Sequence, residues 1–73
     1  MKISNKQIFD KISKITYNDD TYYYGQENNS VRNGYGKHCN EDTTIITAGY
    51  WRNDECIEKL DEESIEGILK ELY

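Results

Sequence analysis

The stretch "YYYGQENNSVRNGYGKHCNEDTTIITAGYWRND", Tyr22 to Asp54, decides how this chain is read. It holds four of the five glycines and six of the nine aromatic residues. "TYYYG" (21–25) and "TTIITAGYW" (43–51) are rich in β-branched and aromatic side chains, which suit pleated, half-buried strands. In the second run Ile45, Thr47, Gly49 and Trp51 alternate with Ile46, Ala48 and Tyr50, so the two sets are expected on opposite faces of a sheet. "NDD" (18–20), "ENNS" (27–30) and "NED" (40–42) supply turn chemistry. Asn33-Gly34 between extended segments is a hairpin signal, because a type I′ turn needs two residues at positive φ. The segment therefore reads as a hairpin or meander over about 21–54. "IEKL" (57–60) reads either as a further short strand or as the entry to the segment that follows.

Outward from this centre the apolar period changes. Towards the N-terminus, Ser4 and Gln7 fit a capping box and Ile3 with Ile8 the staple around it. Ile8, Phe9, Ile12 and Ile15 then make one helical stripe, so a helix is expected over about 5–15. Towards the C-terminus Asp61 is a good N-cap, Glu62 and Glu63 suit the positive end of a helix dipole, and Lys70 suits the other end. Ile65, Ile68, Leu69 and Leu72 form the stripe of a helix over about 62–72. Gly67, inside it, is disfavoured in a helix interior by about 1 kcal/mol against Ala and reads as a place of close packing. The expected fold is α+β: an N-terminal helix, a small antiparallel sheet of three to four strands, and a C-terminal helix packed on the sheet.

Seventy-three residues make a single domain, 1–73, with a small core. The hydrophobic share is 36% and the mean hydropathy −0.97, so aromatic side chains must supply much of that core. The net charge of −5 is unevenly spread. Four lysines against one aspartate make residues 1–16 basic, whereas residues 54–73 carry eight acids against two lysines. Such a body repels nucleic-acid phosphates and anionic lipid heads and attracts basic protein surfaces. Two cysteines, Cys39 and Cys56, make no disulfide framework, and no apolar run reads as a signal peptide or a membrane span. The expected setting is the cytoplasm, with both thiols free.

Tyr23-x-Gly25, Gly34-Tyr35-Gly36-Lys37 and Gly49-x-Trp51-Arg52-Asn53 together resemble the membrane occupation and recognition nexus (MORN) repeat. The resemblance covers about one and a half copies within residues 22–54. Glu27, Ser30 and Asp54 depart from the family pattern, and one extra residue lies between Gly36 and Gly49. What it implies is β-hairpins stacked side by side, and a scaffold or membrane-associated module that self-associates through them.

Chemistry is sparse. Lys37-His38-Cys39 is no nucleophile pair, since neighbours on a strand face opposite ways. Cys39, Cys56 and His38 lack the ligand spacing of a zinc site, and no glycine loop cradles phosphate. No catalytic residue, metal site or cofactor is expected. What remains is binding. Tyr22, Tyr24, Tyr35 and Tyr50 are candidate contact residues, because exposed tyrosines anchor protein interfaces. Glu58, Asp61, Glu62, Glu63 and Glu66, with Glu71, form an acidic face that steers a basic partner. The expected function is that of a small, acidic, non-enzymatic protein-binding module. It would be an inhibitor or adaptor docking on a basic, nucleic-acid-handling protein, with no direct nucleic-acid contact and no membrane insertion. In gross character it resembles the anti-defence inhibitors that phages and mobile elements direct at bacterial nucleases. An unpaired edge strand would also allow a homodimer.

Overall fold

The computed structural model describes residues 12–72. Five antiparallel strands follow one another in space as in sequence: β1 (Ile12–Thr16), β2 (Tyr22–Asn28), β3 (Val31–Cys39), β4 (Ile45–Arg52) and β5 (Glu55–Lys59). One helix, α1 (Glu62–Leu72), ends the chain and lies across β3 and β4.

This corrects the expected helix–sheet–helix arrangement. Residues Ile12–Ile15, placed in the last turn of an N-terminal helix, belong instead to an edge strand, Ile12–Thr16, that pairs Ile12 with Gln26 and Thr16 with Tyr22. The rest of that expected helix, Asn5 to Lys11, lies outside the described residues. The physical reason is tertiary. Ile12, Ile15 and Thr16 are β-branched, and β2 offers them a ladder that an isolated helical turn cannot match. The sheet also has five strands rather than three or four, because Glu55–Lys59 pairs with β4.

Two devices repeat along the meander. Asn29 and Ser30 (φ 55 and 67) turn β2 into β3, and Asn53 and Asp54 (φ 52 and 74) turn β4 into β5. Both are two-residue hairpins with positive φ at both positions, matched to the twist of the strands. At the opposite end, the β1–β2 and β3–β4 connections share one hydrogen-bond pattern. Tyr17 N–H donates to Thr21 O at 2.9 Å and Asn40 N–H to Thr44 O at 2.8 Å. In each, an aspartate (Asp19 or Asp42) accepts from both the backbone and the hydroxyl of the threonine two residues on, an Asx-turn. The residue between is left-handed, Asp20 at φ 72 and Thr43 at φ 76.

Asn33-Gly34 is not a turn. It lies within β3, where the β2–β3 register breaks between Gly25 and Glu27. The Gln26 side chain repairs the break: its Oε1 accepts from Tyr35 N–H at 2.8 Å. Gly34 (φ 108) is required there because a Cβ would collide with that side chain. A second irregularity corrects the faces expected for β4. His38 pairs with Thr47 but Cys39 with Ile45, so Ile46 is the inserted residue. Ile45 is thereby carried to the helix side, where it packs with Ala48, while Ile46 is left 48% exposed.

The two faces are built differently. On one, Ile65 and Leu69 of α1 pack on Ala48, with Ile12, Tyr24, Tyr35, Ile45 and Leu60 around them. The other has no helix among the described residues, yet Tyr23 is 0% exposed and Trp51 4%. Tyr23 achieves this by lying flat on the sheet over Gly36, where any Cβ would strike its ring and hydroxyl. Its Oη donates to Gln26 O at 2.6 Å. Trp51 meets it edge-on at 5.6 Å between ring centroids and donates Nε1–H to Gly36 O at 3.0 Å.

Candidate functional site

The four tyrosines singled out for binding share one face. Strand alternation places Tyr22, Tyr24, Tyr35 and Tyr50 on the helix side, since each alternates with a residue of the Tyr23–Trp51 face. None is fully exposed. Tyr35 and Tyr50, opposite each other in the β3–β4 register, meet edge-on at 5.0 Å. Tyr24 and Tyr35 pack against the α1 core. Lys14 Nζ lies 4.6 Å over the Tyr22 ring, and Lys37 Nζ 5.9 Å over the Tyr24 ring. The tyrosines are thus core on one edge and surface on the other, which is how a small domain uses an apolar ring with a polar tip. A cleft of about 510 Å³ lined by Tyr24, Glu66, Leu69 and Lys70 opens beside them.

The acidic candidates border the same face and are exposed. Glu58 stands opposite Tyr50 on β5. Asp61 caps α1: its Oδ1 accepts Ser64 N–H at 2.8 Å, and that bond holds its carboxyl below the usual range. Glu62 and Glu63 occupy the first turn. Glu66 is different, because Lys37 Nζ meets its Oε2 at 2.6 Å. It is partly neutralised and pins the helix to β3. Burial pulls the Lys37 ammonium down, but the hydrogen bond and charge of Glu66 outweigh it and the net shift is upward.

Two further groups of residues escaped the reading of the sequence. The paired Asx-turns set Asp19, Asp20, Glu41 and Asp42 side by side, lining a depression of about 500 Å³ with Thr21 and Asn40. Hydrogen bonds from Thr21 and Thr44 lower the Asp19 and Asp42 carboxyls, so both stay charged at neutral pH. The recurring Asp-x-Thr spacing was a legible signal. The second group, Tyr17, Arg32, His38, Trp51 and Asp54, lies on the open face. Arg32 donates Nε–H to Asp54 Oδ1 at 2.5 Å and Nη2–H to Asp54 O at 2.9 Å, and that bond keeps the Asp54 carboxyl low. The same guanidinium covers Trp51 at 4.4 Å from the ring centroid. A contact 22 residues apart leaves no local trace in sequence.

His38 and Cys39 point to opposite faces. His38 stacks edge-on against Tyr17 at 5.5 Å, and its Nε2 lies 3.0 Å from Thr21 Oγ1. Since Thr21 gives its only hydroxyl proton to Asp19 at 2.6 Å, it can only accept from His38, which fixes the Nε2–H tautomer. Burial, then Arg32, lower the imidazole pKa. Cys39 is buried on the helix side and burial raises its thiol pKa, the opposite of what an activated nucleophile needs. Cys39 and Cys56 are both free. Among the described residues, no group of three or more His, Cys, Asp or Glu side chains suits a metal ion, and no helix is long and apolar enough to cross a membrane.

In comparison with known proteins, the chain matches no family model, no curated protein and no solved structure.

Proposed function

We propose that this protein is a non-enzymatic binding module whose acidic surface docks on a basic, nucleic-acid-handling protein, as an inhibitor or adaptor. The observation that carries the reading is how the charges are used. The chain holds fourteen acids and nine bases. Two of those bases, Arg32 and Lys37, are consumed by ion pairs inside the fold. Glu58, Asp61, Glu62, Glu63 and Glu71 remain exposed without an ionic partner among the described residues, and the Asp19–Asp20 and Glu41–Asp42 turns add four more carboxylates. An excess of one sign, with two of the opposite charges tied up in ion pairs, steers a partner of complementary potential and repels nucleic acid itself. Tyr35 and Tyr50, beside the helix, supply contact area. Free thiols accord with a cytoplasmic setting.

The test is affinity capture by the full chain from nuclease-treated lysate at low and high salt, alongside the Glu62→Lys/Glu63→Lys variant. The reading expects a basic protein that is retained at low salt, released at high salt, and lost with the charge-reversed variant. Capture indifferent to both salt and charge reversal sinks it.

A second reading has one observation in its favour. Asn53–Asp54 repeats the turn of Asn29–Ser30 24 positions later, and Thr43 repeats Asp20 after 23. That recurrence favours the MORN-like scaffold, which self-associates through its hairpins or binds lipid. Sedimentation across a concentration series, with and without vesicles, separates it from the first.

A further inference from the structure

Gly67 has no reason within the fold to be glycine. It is exposed in the middle of α1, and a Cβ there would meet nothing within 4 Å among the described residues. Gly34 and Gly36 differ, since side chains fill the space above both. Gly67 is also absent from the residues at positive φ. Glycine is the poorest helix former after proline, so α1 carries a weak point that packing among the described residues does not demand.

Position decides what that weak point could do. At 3.6 residues per turn Gly67 lies opposite the buried pair Ile65 and Leu69. Glu63, four residues before it, and Glu71, four after, share this outward side. Both are exposed, and no described contact holds either of them, in contrast to Glu66 on its lysine. Among the described residues of α1, Lys70 is the one cation alongside. The missing methyl makes a shallow notch in the helix surface, where another backbone can approach closely. The backbone positions of these two glutamates lie about 12 Å apart along the helix axis, from eight residues at about 1.5 Å each. One guanidinium cannot span that distance, whereas two arginines seven or eight residues apart on a second helix can, each binding one carboxylate.

We propose that the outer side of α1, centred on Gly67, is the point of closest approach to a partner helix carrying two arginines about two turns apart. This rests on the acidic-docking reading and specifies the partner's contact element.

The test uses the full chain, isotopically labelled, titrated by NMR with a synthetic alanine-rich helical peptide bearing arginines at i and i+7. Wild type is expected to bind with shifts clustered at Glu63, Gly67 and Glu71. Gly67→Ala should raise the thermal midpoint of the free protein by roughly 4–8 °C yet weaken peptide binding at least tenfold. A variant that gains stability while losing affinity cannot be explained by misfolding. Equal affinity of Gly67→Ala and wild type, with binding still lost in Glu63→Gln/Glu71→Gln, overturns the notch and leaves the acidic docking reading intact. Absence of any salt-sensitive binding by wild type overturns both.

Discussion

Gly36→Ala is the substitution that most directly tests how this sheet buries Tyr23 and Trp51 on the face that has no helix among the described residues. Gly36 is not among the residues at positive φ, so alanine fits its backbone. Alone, the change would stabilise by about 0.4–1 kcal/mol through the unfolded chain. The added methyl, however, falls on the Tyr23 ring and hydroxyl. Overpacking costs about 1–3 kcal/mol. Lifting the ring also breaks the buried bond from Tyr23 Oη to Gln26 O, 2.6 Å, worth about 1 kcal/mol. The net expectation is a loss of about 1–3.5 kcal/mol, large against the roughly 4–11 kcal/mol available to a domain of this size. The assay is urea unfolding followed by far-UV circular dichroism, in wild-type and Tyr23→Leu backgrounds. Leucine removes the hydroxyl and the far end of the ring, so the Gly36→Ala penalty should fall below about 1 kcal/mol there. An equal penalty in both backgrounds would refute the account, because the methyl would then be colliding with something other than Tyr23.

Two further outcomes follow from the surroundings of His38 and Asp61. The folded His38 imidazole has a pKa below its ordinary 6.5, through burial and Arg32, so below that pH the unfolded chain binds more protons than the folded one. Stability should therefore decline as pH falls from about 6.5 towards 5, before the depressed carboxylates of Asp19, Asp42, Asp54 and Asp61 begin to titrate, and His38→Gln should flatten the urea midpoint over that interval; an unchanged slope refutes it. Asp61→Ala removes the acceptor for Ser64 N–H and should cost about 0.5–2 kcal/mol in thermal unfolding, with Asp61→Ser recovering most of it.

The C-terminal helix was legible because every local signal agreed: an N-cap at Asp61, glutamates in the first turn, Lys70 in the last, and one apolar stripe. The middle strands were legible from their β-branched and aromatic runs. Ile12–Thr16 misled because a spacing of three between Ile12 and Ile15 suits a helix stripe, yet on a strand those residues face opposite ways. Asn33-Gly34 misled for a related reason. Glycine serves a turn by its backbone and serves β3 by its missing side chain, and nothing local separates the two uses. Of the candidate binding residues, the tyrosines were identified without their shared face, and Glu66 without the lysine that neutralises it.

Composition and spacing by themselves determined the acidic excess, the turn chemistry and the capped helix, because charge, φ preference and helical period are properties of residues and their near neighbours. Only the tertiary structure decided that Ile12–Thr16 would be a strand, that Ile45 would turn to the helix side, that Arg32 would cover Trp51, and that Gly36 would carry a tyrosine ring. Each of those depends on a partner on another strand, or on one inserted residue that flips the alternation of a strand. Such choices are settled by which surfaces meet when the sheet closes, and by which positions then have no room for a side chain.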